Sequence, residues 1–349
     1  MRFPADTNGI RHLSPAYFAL VMATGIVSIA SFHMGFGTLA ASLMWLNVVQ
    51  YVILWILYGL RLFRYRPEFL TDLTSHEAGP GFFTIVAGTC VLGNQMILIA
   101  GARVIAQVLW MIGLVLWIGL TYTIFTSLTI KEVKPTLDRG ISGSWLLAIV
   151  ATQSIAVLSA VLAGGFAQPH RLHINFLALS MWLWGGMMYI WMISLIFFRY
   201  TFYSFMPGDL SPPYWINMGA MAISTLAGSL LIENTADAWF LESLRPFLKG
   251  FTIFFWATGT WWIPMLVILA VWRHVYKRFP LTYDPGYWGA VFPLGMYTAS
   301  TFVMARAMDL DFLLPIPRAF IYVSLAAWGL AFFGLLRRLV RVPASVRFG

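Results

Sequence analysis

The feature that most constrains this chain is a succession of ten stretches of about twenty residues with no Asp, Glu, Lys or Arg near the middle of any of them. A hydrocarbon core of about 30 Å is crossed by about 20 apolar helical residues, and lipid offers no partner for an unpaired backbone amide, so such stretches can only be helices. Cutting at charged and Pro/Gly-rich punctuation places them at Pro15 to His33, Gly37 to Leu60, Gly81 to Ala100, Val104 to Leu128, Ser144 to Leu162, Ile174 to Phe198, Tyr214 to Ile232, Phe247 to Trp272, Tyr287 to Met304 and Leu313 to Leu336. Composition agrees: 60% of residues are hydrophobic and only 10% charged, against about a quarter charged in soluble domains. The expected class is an all-α integral membrane protein, residues 1–349 forming a single transmembrane domain whose first partner is the lipid bilayer. The net charge of +9 comes with no basic soluble module, so no nucleic-acid partner is expected. Cys90 is the sole cysteine, which excludes an intrachain disulfide and a thiolate metal cluster. The run after Met1 to Ser14, a segment holding Arg2, Asp6 and Arg11, reads as a retained first helix.

If both termini face one side, that side carries sixteen of the 22 Lys and Arg residues and the other carries six. By the positive-inside rule the termini are cytoplasmic in a multi-pass protein of the cell (inner or plasma) membrane, and the tail residues Arg337, Arg338, Arg341 and Arg347 act as topology determinants. Short outer turns pair consecutive odd and even spans as five hairpins. Each odd span also opens alike: SPAYFALVMATG at Ser14, GPGFFTIVAGT at Gly79, SGSWLLAIVATQ at Ser142, PPYWINMGAMA at Pro212 and DPGYWGAVFPLG at Asp284. The aromatic residues Phe18, Phe83, Trp145, Trp215 and Trp288 recur at 65, 62, 70 and 73 residues, a repeat of about two helices. The odd spans are rich in Gly, Ala, Ser and Thr and hold three Trp, whereas the even spans hold twelve. Small residues either line a wet path or simply pack helix on helix, while bulky aromatics suit lipid. The expected architecture is a ring of five helical hairpins, an inner ring of odd helices inside an outer ring of even ones.

The chemistry available is sparse. A proton-coupled carrier keeps an ionisable relay in the membrane, and none stands mid-span here: Glu233 and Arg306 sit at outer ends, as a vestibule pair or as solvated helix ends. His170 and His173 have metal-ligand spacing but no acidic or thiolate companion nearby, so no metal and no cofactor is expected. Asn94, Gln95 and Gln153 are the most polar mid-span groups; they either offer amide donors to an anion or bond helix to helix. Four residues past the repeat aromatics lie Met22, Ala87, Ile149, Gly219 and Phe292, and Thr298 follows on the ninth span. Phe292 is the lone aromatic in that set. Pro293 beside it removes one helical hydrogen bond. Phe292 either occludes a narrow pore or packs between helices.

YFALVMATGIVS, from Tyr17 to Ser28, and YWGAVFPLGMYT, from Tyr287 to Thr298, resemble the first and ninth helices of the tellurite-resistance and dicarboxylate transporter family, whose relatives include plant slow anion channels, yeast sulfite efflux proteins and fungal malate transporters. The resemblance extends over span count and hairpin order. It implies a homotrimer with one pore per subunit, lined by odd helices, passing small anions passively, with Phe292 as the plug. The expected function is a passive channel or uniporter for chloride, nitrate, sulfite or dicarboxylate. The alternatives are a proton-coupled dicarboxylate carrier and a membrane-embedded lipid-modifying enzyme.

Overall fold

The computed structural model describes residues 9–341. Arg2, Asp6 and Arg347 lie outside the described residues, as does the side chain of Arg341. Ten long helices follow one another: α1 (Ala19–His33), α2 (Gly37–Arg64), α3 (Phe83–Leu98), α4 (Arg103–Ile130), α5 (Leu147–Ala163), α6 (His170–Phe202), α7 (Ile216–Glu233), α8 (Arg245–Val271), α9 (Trp288–Ala307) and α10 (Pro315–Arg341). Short helices at Arg66–Leu73, Leu137–Gly140 and Trp239–Ser243 lie in the connections, and no strand occurs among the described residues. Among the described residues nine of these ten helices, some with their flanking turns, are long and apolar enough to cross a membrane. The exception is α9, whose Pro293, Arg306 and run of Gly, Ser, Thr and Tyr dilute its apolar content.

All five odd helices open the same way. A 3-10 turn precedes each one: Pro15–Phe18, Gly79–Phe82, Gly143–Leu146, Pro212–Trp215 and Pro285–Tyr287. Proline suits this position because its missing N–H is one of the donors a helix start leaves unpaired anyway. In three turns a side-chain oxygen (Ser14, Ser142 or Asp284) accepts from the backbone N–H two residues on. The turns touch in succession, and the last touches the first. The five N-terminal ends are thereby gathered at one end of the bundle.

The odd helices make the same circuit: α1 packs on α3, α3 on α5, α5 on α7, α7 on α9 and α9 on α1. Each even helix packs chiefly on its odd hairpin partner. Burial divides accordingly, with 83–94% of the spanning window inside the protein for α1, α3, α5 and α7, against 17–33% for the even helices. Close approach rests on small residues. A Cβ at Gly25 would come within 2.5 Å of Val91 Cγ1 on α3, and one at Gly295 within 3.0 Å of Ile26 on α1. The even helices turn large apolar side chains such as Trp45, Trp191, Trp261 and Phe333 outward, which suits lipid, where apolar exposure carries no penalty.

Candidate functional site

A cavity of about 190 Å³ lies among the odd helices, and every residue lining it comes from one of those five. The lining follows helical register. On α1 it falls at Ile26, Ile29 and His33, on α3 at Val91, Asn94 and Leu98, and on α7 at Ile223, Leu226, Leu230 and Glu233. Counted from Met22, Ala87 and Gly219, these are steps of +4, +7, +11 and, on α7, +14, a single face of a 3.6-residue helix. On α9 the same count from Phe292 reaches Met296, Val303 and Arg306, all lining residues, with Phe302 beside them. Phe292 therefore stands on the cavity face of α9, one turn before the first lining residue. It is fully buried, as are Met22, Ala87 and Gly219.

Pro293 points sideways rather than inward. Its ring lies over Gly219, where an added Cβ would stand 2.7 Å from Pro293 Cγ, so Gly219 is the socket that seats it. The helix runs through Pro293 without interruption. Gly295 meets Ile26 and Val27 of α1 on the other side, so α9 is wedged between α7 and α1 with Phe292 on the face between those contacts.

The remaining sequence candidates divide. Asn94 lines the cavity, but its Nδ2 donates to the Cys90 carbonyl at 3.0 Å, leaving Oδ1 without a partner. Oδ1 and the second N–H of Nδ2 are left uncommitted, so Asn94 keeps one donor as well as an acceptor. Gln95 leaves the lining altogether: its Oε1 accepts from Asn47 Nδ2 on α2 at 2.7 Å. Gln153 donates to the Trp182 carbonyl at 3.0 Å and lies over Gly185 of α6, while Thr298 shares a hydrogen bond with Ser324 of α10. On α5 the lining residues are Ser154, Val157 and Val161, which set the inward register on Val150 and leave Ile149 one residue off it. The cause is local. The opening turn on α5 ends on fully buried Leu146, whereas the adjacent Trp145 turns back to donate to the Gly140 carbonyl at 2.9 Å. Aligning the repeat on aromatic rings therefore misplaces α5 by one position.

Two charged residues, Glu233 and Arg306, line the cavity where its helices end. They do not pair. Arg306 bonds Asp311 at 3.1 Å and stands 5.8 Å over the Phe302 ring, and Phe302 in turn lies 5.2 Å from the His33 ring. His170 and His173 face each other edge-on at 6.2 Å, with no third His, Cys, Asp or Glu completing a metal cluster among the described residues.

A cavity lined by five apolar, deeply buried helices in a bundle with outward-facing aromatics defines a multi-pass membrane protein of the transporter and channel class. The SLAC1 family, described as voltage-dependent anion channels, matches residues 12–336, and the chain belongs to it. Two uncharacterized transporters of Methanocaldococcus jannaschii are similar over almost their whole length: one is 25% identical over 351 residues, spanning 97% of this chain and 95% of the relative, and the other 23% identical over 350 residues, spanning 97% and 96%. An uncharacterized membrane protein of Mycobacterium tuberculosis is 39% identical over 152 residues, 44% of this chain and 77% of its own.

Proposed function

We propose that this protein is a passive anion channel or uniporter, moving small anions such as chloride, nitrate, sulfite or a dicarboxylate through a path within each subunit. The observation that carries the reading is the register of the cavity. One face of each odd helix lines it, and the same face on α9 carries Phe292 one turn before Met296, the first lining residue there. Among the described residues no Asp, Glu, Lys or Arg lines it deeper than Glu233 and Arg306, so no buried acid is available there to relay protons. Passage is then driven by the anion gradient and the membrane potential.

In this reading ten helices span the membrane as one domain, α9 being tolerated despite its weaker apolarity because its neighbours cover it. The circuit of odd-helix contacts is an inner ring with the even helices outside. Phe292 is the gate, and Pro293 in its Gly219 socket fixes the backbone that carries it. The opening turns face the cytoplasm of the cell membrane, in keeping with the bias in Lys and Arg, and the subunits assemble as a trimer.

Anion-replacement currents in a planar bilayer test the proposal. A channel or uniporter gives currents whose reversal potential follows the anion gradient and not an imposed pH gradient. Transport that requires a pH gradient selects the coupled carrier, and absence of any flux rejects the anion path.

A further inference from the structure

The mouth of the cavity has the wrong sign for an anion path. It is built from the C-terminal ends of the odd helices: His33 and Leu98 lie at the ends of α1 and α3, Glu233 ends α7, and Arg306 is one residue from the end of α9. Each such end carries a partial negative charge of about half a unit, which fades within a turn. Helix dipoles thus add no positive field where an anion enters. The cationic group there, Arg306, is already held by Asp311 at 3.1 Å. Glu233 stands fourteen residues beyond Gly219, as Arg306 stands fourteen beyond Phe292, so the two occupy matching registers on adjacent helices. Yet no ion pair or side-chain hydrogen bond reaches the Glu233 carboxylate among the described residues, and it is exposed to the cavity.

We propose that Glu233 is a charge filter, a specificity-determining residue that admits monovalent anions and turns back divalent ones, which narrows the anions named above to monoanions such as chloride and nitrate and sets the dicarboxylates aside. The inference rests on the anion-path reading and names the substrate class of the same site. Coulomb repulsion from one fixed carboxylate scales with the charge of the passing ion, so a dianion meets twice the opposition that a monoanion does. The walls below cannot compensate, because apart from Asn94 and Ser154 they are aliphatic, aromatic or thioether side chains. An anion path needs no carboxylate to attract its substrate. A carboxylate at its entrance, unpaired and facing the lumen, is explained by what it excludes.

The test is flux of nitrate and of sulfate through the full-length protein in liposomes, compared for wild type, Glu233→Gln, Glu233→Asp and Arg306→Gln. Glu233→Gln is expected to raise sulfate flux relative to nitrate by about tenfold, a selective change that a purely structural role for Glu233 would not produce. The conservative Glu233→Asp should keep the wild-type ratio, and Arg306→Gln should lower sulfate relative to nitrate further. A sulfate-to-nitrate ratio unchanged by Glu233→Gln, or a rise shared equally by both ions, overturns the filter while leaving the anion path in place. If neither ion crosses in any variant, the path and the filter fall together. Should Glu233→Gln fail to fold, the ratio in Glu233→Asp and Arg306→Gln decides: a fall in Arg306→Gln with no change in Glu233→Asp supports the filter, and any other pattern overturns it.

Discussion

Truncating Phe292 to alanine separates a gate from a packed core residue. Phe292 is fully buried in a layer with Met22, Ala87, Gly219 and Val150, all of them buried, and the cavity begins one turn beyond it at Met296. In a closed core, a Phe→Ala change leaves a void and costs about 3–5 kcal/mol. Here the void would join a cavity of about 190 Å³, so part of it opens to water and the cost falls toward the lower end of that range. The same truncation leaves Met22 and aliphatic groups as the obstruction, and conductance per folded protein should rise at least about tenfold, a barrier lowered by about 1.4 kcal/mol. Phe302→Ala is the comparison on the same helix. Phe302 is only partly buried and lines the part of the cavity that is already open, so its loss should change stability and not conductance. The assay is anion current in planar bilayers normalised to folded, monodisperse protein. A Phe292→Ala protein that folds and conducts no more than the parent would refute the gate and leave the cavity and family membership untouched.

Gly219→Ala should lower the melting temperature in detergent, because the new methyl would stand 2.7 Å from Pro293 Cγ, a ring carbon with no rotamer to escape into; the expected cost is about 1–3 kcal/mol, recovered in large part by adding Pro293→Ala. Asn94→Leu should lower nitrate flux by about tenfold, or ~1.4 kcal/mol in barrier, since one Asn94 N–H is held by the Cys90 carbonyl and the second is uncommitted in a residue that lines the cavity; an unchanged flux would mean that Asn94 does not serve the anion. His76, in the connection after Arg66–Leu73, has its pKa lowered chiefly by burial, with Lys131 and Lys134 adding to the effect. A histidine that binds protons less readily folded than unfolded contributes stability that is complete above the unfolded pKa of about 6.5 and is lost as pH falls through it. His76→Gln should therefore flatten the decline in melting temperature between neutral pH and about pH 5; an unaltered slope would contradict it.

The sequence carried more of the scaffold than of the site. Uncharged spans, hairpin order and the five like helix openings were legible because each follows from a local requirement: length against bilayer thickness, proline at a helix start, small residues where backbones meet. The cavity lining counts back in helical register to the repeat position on four odd helices, and on α5 to Val150 beside it, where Leu146 and not Trp145 takes the place of the buried ring. Rotation by a single residue turns a side chain through about 100°, enough to send Gln153 to α6 while Ser154 lines the cavity. Polarity alone could not separate them. Nor could it tell that Gln95 belongs to a buried pair with Asn47, since that depends on what the neighbouring helix presents.

A second fivefold pattern was present in the sequence but unreadable without the partners. Each even helix sends at least one aromatic hydroxyl or indole to the next odd helix. Tyr51 of α2 bonds Thr89 of α3 at 3.0 Å, Trp117 of α4 bonds Thr152 of α5 at 2.8 Å, Trp182 of α6 donates to the Ser224 carbonyl of α7 at 2.8 Å, and Trp256 of α8 donates to Thr301 of α9 at 3.1 Å. The first four span 35 to 45 residues of sequence; the fifth, from Trp328 of α10 to Thr24 of α1 at 3.1 Å, spans 304. Read as lipid-facing bulk, these aromatics looked like solvation by the bilayer. In a dry interior, however, an indole N–H or a phenol hydroxyl without a partner is costly, and each bond gives one its partner. The last of them forms only when the two ends of the chain meet, so the repeat stabilises a closed arrangement at the position where an open one would leave Trp328 and Thr24 unpaired. None of the five odd-helix partners, Thr24, Thr89, Thr152, Ser224 and Thr301, lines the cavity. The odd helices thus meet the even helices with these polar groups and turn mostly aliphatic faces to the cavity, which under the proposed anion path leaves discrimination to the charged residues at its mouth.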